Sequence, residues 1–178
     1  MAQRVEVPGS RREADPEHQR VGEVDRDKQI EVTVYLRPSG SLDWVDQEAA
    51  RPPAERRTLS REELASATGA SDADIAAVRS FAGEYGLEVS GVDQARRAVS
   101  LRGTVQAVAD AFGAQGLGLF EDPTAGRYRG RQGSLTGPSE LGGVITGVFG
   151  IDERPQARAH LRVGDSAIAS QSYTPPPA

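Results

Sequence analysis

At 178 residues the chain has room for one domain of ordinary size plus extended ends. Its formal net charge is −5, and its basic residues, all arginine except Lys28, are scattered among acids, so no basic stripe marks a nucleic-acid binder. There is no cysteine, there are two histidines (His18 and His160), and no apolar run reaches the length of a membrane span or of a secretory signal core; a disulfide framework, thiol chemistry and a histidine-built zinc site are excluded.

Residues 1–27 are charged and offer only Val5, Val7, Val21 and Val24 for burial, which predicts a disordered head, because so little apolar area does not offset chain entropy. Residues 28–37, KQIEVTVYLR, read as the clearest strand: Ile30, Val32, Val34 and Leu36 alternate with Glu31, Thr33 and Tyr35. Residues 41–49 predict a helical turn that points Leu42 and Val45 inward with Trp44 nearby, and Pro52–Pro53 sits in a loop.

Ser60, with Glu63 three residues on, forms a capping-box signature and predicts a short helix over 60–67. Ser71 caps a longer one over 71–85, whose stripe is Ile75, Val78, Phe81, Ala82 and Tyr85, with Gly86 as the C′ residue. Strands follow over 87–92 and 96–102, the second with Val99 and Leu101 inward and Arg96, Ser100 and Arg102 outward. Thr104 then caps a helix over 105–112, and a further strand covers 116–121.

The order strand–helix–strand thus occurs twice, which predicts an α+β, ferredoxin-like βαββαβ sandwich: four antiparallel strands with two helices on one face. In addition, residues 128–132 are expected to pair with 117–121 as a hairpin, 138–141 to form a helical turn, and 144–151 to add a C-terminal strand. Beyond residue 162 the chain turns polar and ends in PPPA, which reads as linker.

No catalytic constellation emerges. A Ser–His–Asp triad would need His18 or His160, both in segments read as ends of the chain, and the pairs Glu62/Glu63 and Asp72/Asp74 are better explained as charge at helix starts. GRYRGRQG has an RNA-binding flavour, but one copy in an acidic chain is better read as a twisted hairpin.

Three blocks in order, SDADIAAVRSFAGEYGLEV, RRAVSLRGTVQAVADAFG and YRGRQGSLTGPSELGGVITGVFGIDERPQARAHLR, together resemble the activation domain, or propeptide, of sedolisin or kumamolisin-like serine-carboxyl peptidases, and SYTPPPA is similar to the start of the family's mature enzyme. The resemblance covers about residues 30–162. It leaves the head over 1–27, read above as disordered, without a counterpart in the family, and implies a ferredoxin-like propeptide domain over 28–152 and a linker over 153–178 that reaches the mature peptidase.

The function so implied is that of an intramolecular chaperone and autoinhibitor, removed autocatalytically in acid. This chain would then not itself be an enzyme, the catalytic Ser, Glu and Asp lying beyond Ala178. No cofactor is expected here, calcium belonging to the family's catalytic domain. The expected partner is the cognate peptidase, with no nucleic acid and no membrane; the isolated chain is expected to be a monomer, and the precursor extracellular.

On that reading the solvent face of the sheet docks on the peptidase. The segment Arg154, Pro155, Gln156, Ala157, Arg158, Ala159, His160, Leu161 and Arg162 forms the inhibitory tail and cleavage region, with Pro155 favouring an extended path. Asp43, Asp46, Glu88, Asp152 and Glu153 are the candidate pH-sensitive interface carboxylates. The alternative is a stand-alone ferredoxin-like regulatory or ligand-binding domain.

Overall fold

The computed structural model describes residues 3–155. Its longest strand, β3 (Gln29–Leu36), forms where apolar and polar residues alternate: Ile30, Val32, Val34 and Leu36 are buried, while Glu31 and Tyr35 face out. It lies inside a four-stranded antiparallel sheet of order β4-β5-β3-β9, with β4 (Glu88–Asp93), β5 (Ala98–Thr104) and β9 (Ile145–Phe149).

Two helices cover one face of this sheet. The register sets Val32 opposite Leu101 and Val34 opposite Val99, and these side chains share one core with Val78, Phe81 and Ala82 of α3 (Asp72–Glu84) and with Val108 and Phe112 of α4 (Val105–Phe112). The rings of Phe81 and Phe112 meet edge-on at 5.4 Å. Each of these buried side chains other than Ala82 contributes about 1.5–3 kcal/mol. Both helices begin on the expected caps: the Ser71 hydroxyl accepts the Asp74 N–H, and the Thr104 hydroxyl accepts the Ala107 N–H.

Helices α1 (Asp43–Ala49) and α2 (Arg61–Thr68), joined through a 3₁₀ turn at Pro53–Glu55, contribute no buried residue. The Ser60–Glu63 capping box forms in full. Leu42 and Val45, expected inward, are each 43% exposed. The helix that Leu42 caps is two turns long and closed off by Pro52–Pro53, so it stands on the surface with Trp44 and Glu48 half-buried, in a cleft it shares with α2.

Two departures from expectation matter for function. The sheet's fourth strand is β9, and the residues expected in that place form β6 (Gly118–Asp122) of a second, three-stranded sheet of order β2-β6-β7. The reason is compositional: β9 and its flanks supply the buried side chains Val144, Ile145, Val148 and Ile151, whereas β6 opens on a glycine, a weak strand former beside a central strand. The expected hairpin does form, between β6 and β7 (Gly126–Gly130).

The second departure corrects the disordered head. Residues 4–6 form β1 (Arg4–Glu6), paired with β8 (Thr136–Pro138), and residues 19–22 form β2 (Gln19–Gly22), paired with β6. Val7 and Val24 join the core. The head is held mainly by backbone pairing (Val7 N–H to Leu135 O at 2.9 Å, Arg12 and Gly133 bonded reciprocally at 3.0 and 2.9 Å), which a count of apolar side chains does not register.

Candidate functional site

The face of the four-stranded sheet opposite the helices is open. Tyr35 and Phe149 lie across it edge to face, ring centroids 5.7 Å apart, and Phe149 is 58% exposed. Gly147 makes room for this: a Cβ there would stand 2.9 Å from the Phe149 ring. Next to the aromatic pair the register places the small residues Ala98 and Ser100, and then a charged row in which Arg102 is opposite Glu31 on one side and Glu88 on the other. Arg102 approaches Glu31 at 3.4 Å, and the Ser90 hydroxyl donates to the same carboxylate at 2.8 Å. Exposed pairs of this kind contribute little to stability, about 0–1 kcal/mol, so the row is available for recognition. An exposed aromatic pair beside small residues and a mixed-charge rim is the make-up of a protein-docking face.

Where β9 ends, the chain is clamped. Gly150 has φ +97°, and a Cβ on it would stand 2.7 Å from the Glu31 carbonyl oxygen. Ile151 is buried. The buried Arg129 guanidinium of β7 then binds the exit: it donates to Ile151 O at 3.0 Å, to Gly150 O at 2.9 Å and to the Glu153 carboxylate at 2.8 Å, and Glu153 N–H returns a bond to Arg129 O at 2.8 Å. Arg131, also buried, donates to Gly133 O at 2.7 Å and to Ser10 O of the head. Burial pushes its pKa down and the nearby Asp152 carboxylate opposes that. Asp152 accepts the Arg154 N–H at 2.8 Å and turns the chain outward. Arg154 reaches Glu13 O at 3.3 Å, and Pro155 is exposed.

Beside this exit lies a polar cluster built from the head and the hairpin. His18 Nδ1 is 2.8 Å from the Tyr128 hydroxyl, its Nε2 is 3.4 Å from Asp122, and Asp15 is 3.7 Å from Nδ1. Asp122 is held at a pKa of about 2, first because the Thr124 hydroxyl donates to it and then because the Thr124 and Ala125 N–H groups do, with His18 adding to the effect. Burial raises the Tyr128 pKa, and Arg154, which bonds to the phenol, opposes that rise.

The predicted site residues fall in three places. Glu88 stands in the charged row of the open face, on the edge strand β4. Asp43 and Asp46 are exposed on α1, in neither the sheet nor the tail root. Asp152, Glu153, Arg154 and Pro155 are at the root, where the first three are already bonded within the chain. Gln156, Ala157, Arg158, Ala159, His160, Leu161 and Arg162 lie outside the described residues. Sequence reasoning missed Phe149 and Glu31 on the face and Arg129, Arg131, His18 and Tyr128 around the root. The period-two spacing of Arg129 and Arg131 in a strand was the available signal.

The chain matches the family described as "Pro-kumamolisin, activation domain" over residues 16–154. It is similar to kumamolisin of Bacillus sp. strain MN-32, 36% identical over 177 residues that make up 95% of this chain and 32% of that protein. It is also similar to tripeptidyl-peptidase sed5 of Aspergillus fumigatus, 28% identical over 164 residues, 83% of this chain and 28% of that protein. The chain therefore spans about a third of the length of the curated relatives it matches.

Proposed function

Because the chain belongs to the Pro-kumamolisin activation domain family, we propose that it is the pro-region of an acid-activated serine-carboxyl endopeptidase, serving as its chaperone and inhibitor and removed by autocatalytic cleavage in the linker. The family match over residues 16–154 carries this reading, since the matched family is that of a propeptide and not of a catalytic domain. The strand order β4-β5-β3-β9 with α3 and α4 on one face supports a ferredoxin-like description of the body. On this reading the catalytic Ser, Glu and Asp, and the bound calcium, belong to the peptidase, and the precursor acts outside the cell.

The open face is the surface we assign to the peptidase. Phe149 and Tyr35 supply apolar contact, and Glu31, Arg102 and Glu88 supply register. A surface preformed in this way can template a partner that folds slowly by itself. The segment past Pro155, which lies outside the described residues, is the part we assign to the peptidase's substrate cleft.

Acid release follows from carboxylate linkage. A carboxylate paired with a cation of the partner has a lower pKa bound than free. Its contribution to binding is complete above the free pKa and is lost as pH falls through the bound one. Glu88 is the foremost of the five candidates, because it lies on the open face, whereas Asp152 and Glu153 are engaged within the chain.

The test is inhibition of the cognate peptidase by this chain added in trans. Expected is tight inhibition near neutrality and a loss of at least tenfold in affinity by about pH 4, where model carboxylates protonate. Equal inhibition at both pH values would refute the release mechanism, and none at either would refute the pro-region reading.

A further inference from the structure

His18 stands where head, hairpin and tail root meet, and groups from each of them surround it. Asp15 approaches from the head at 3.7 Å, Asp122 from the end of β6 at 3.4 Å, and the Tyr128 hydroxyl from β7 at 2.8 Å. Arg154, Asp152 and Asp15 all act on that same phenol. The imidazole is nearly enclosed, with 11% of its side chain exposed.

We infer that His18 is a proton-operated release for the first residue of the tail: when its ring is neutral Arg154 is held on the Tyr128 phenol, and when the ring gains a proton that hold weakens.

The argument turns on the two ring nitrogens. Next to the Asp122 carboxylate, Nε2 carries the hydrogen of the neutral ring, which leaves Nδ1 bare to accept the Tyr128 O–H. The phenol oxygen is then free to accept from Arg154. A solvent proton added to Nδ1 reverses one bond: Nδ1–H now donates to the phenol oxygen, the phenolic hydrogen must turn elsewhere, and two cations compete for one acceptor. The imidazolium keeps its place, with Asp15 at 3.7 Å from Nδ1 and Asp122 at 3.4 Å from Nε2. Arg154 is the competitor that yields: it lies beyond the clamp made by Arg129 and next to the exposed Pro155, and its Nη1–H also reaches Glu13 O at 3.3 Å. The head, which the sequence presents as an appendage, thereby becomes the part that senses pH at the tail root.

The link from this local switch to liberation of the tail rests on the pro-region reading, but the switch itself is a property of this chain alone and is tested without a peptidase. The 178-residue chain is titrated from pH 8 to pH 5, the range in which imidazoles ordinarily protonate and carboxylates ordinarily stay charged, following the His18 ring nitrogens and the exchange protection of the Arg154 Nη–H groups by NMR. His160→Gln removes the second imidazole signal. Expected is a roughly fivefold fall in Arg154 protection that tracks the His18 titration, the change that losing one net hydrogen bond produces.

In His18→Gln the Arg154 protection should be flat with pH. In Tyr128→Phe the His18 ring should still titrate while Arg154 no longer follows. If His18→Gln does not fold, the native chain and Tyr128→Phe decide by themselves. Arg154 protection independent of pH in the native chain, or an undiminished response in Tyr128→Phe, overturns the inference. Either result leaves the inhibition experiment unaffected.

Discussion

Phe112 and Arg131 are both removed from water, one at 0% and the other at 3% exposure, yet the regions around them are built on opposite principles. Between the sheet and its two helices the buried atoms are apolar, and stability comes from area removed from water and from close packing. At the joint between the two sheets and the tail root, the buried atoms include two guanidinium groups that donate to backbone carbonyls from segments far apart in sequence: Ser10, Gly133, Gly150 and Ile151. The first region tolerates a change of shape only at the cost of a cavity. The second depends on a few directional bonds, and losing one partner strands the others. A body of the first kind is rigid, and a joint of the second kind can be opened by charge.

The largest effect should come from the apolar region. Phe112→Ala empties a site packed against Phe81 and should cost about 3–5 kcal/mol in chemical denaturation. A loss below 1 kcal/mol would mean that the helices are not fixed on the sheet by this contact. Next is Arg129→Met, which keeps much of the buried stem but leaves the carbonyls of Gly150 and Ile151 without this donor. We expect about 2–4 kcal/mol and faster proteolysis just beyond β9. Glu153→Gln, at a carboxylate 53% exposed, should cost far less, and equal losses would contradict a clamp centred on the arginine. Gly150→Ala should follow at about 1–3 kcal/mol, since φ +97° and the Glu31 carbonyl at 2.7 Å both oppose a side chain.

The joint also carries its own pH signature. Asp122 has a folded pKa of about 2, below that of an unfolded carboxylate, so its contribution to stability is fully present above about pH 4. It is lost as pH falls through about 2. Asp74, whose pKa the Arg37 guanidinium lowers, works in the same direction in the sandwich. Asp122→Asn should therefore flatten the acid limb of the stability curve without moving the limb near neutrality. An unchanged acid limb in that variant would remove Asp122 from the joint's pH dependence.

The contrast between the regions also explains what could be read from the chain. β3, α3 and α4 were legible because period-two and helical stripes of apolar residues, with Ser71, Thr104 and Gly86 at their ends, are local signals. That β9 and not β6 completes the sheet is a long-range choice between two short strands, decided by which one buries more branched side chains beside Val34. The joint was illegible for a further reason: Arg129 and Arg131 read as surface residues in any pattern based on hydropathy, and only the carbonyls that meet them in space make burial tolerable. The same blindness made residues 1–27 look unfolded and His18 look idle.

The smallest effect on stability, and the most informative one for function, is expected at Phe149. At 58% exposure it gains little from the fold, so Phe149→Ser should change unfolding stability by no more than about 0.5 kcal/mol. If the open face docks on the peptidase, the same change removes an aromatic anchor from the centre of the contact and should weaken inhibition by tenfold or more, chiefly through faster dissociation. Tyr35→Ser should act in the same direction, because the two rings brace each other. Leu64→Ser on α2, also exposed at 46% and outside the core, is the control and should leave inhibition unchanged. If Leu64→Ser impaired inhibition while Phe149→Ser did not, the docking surface would move from the sheet to the α1–α2 segment, and Glu88 would lose its place as the foremost carboxylate to Asp43 and Asp46.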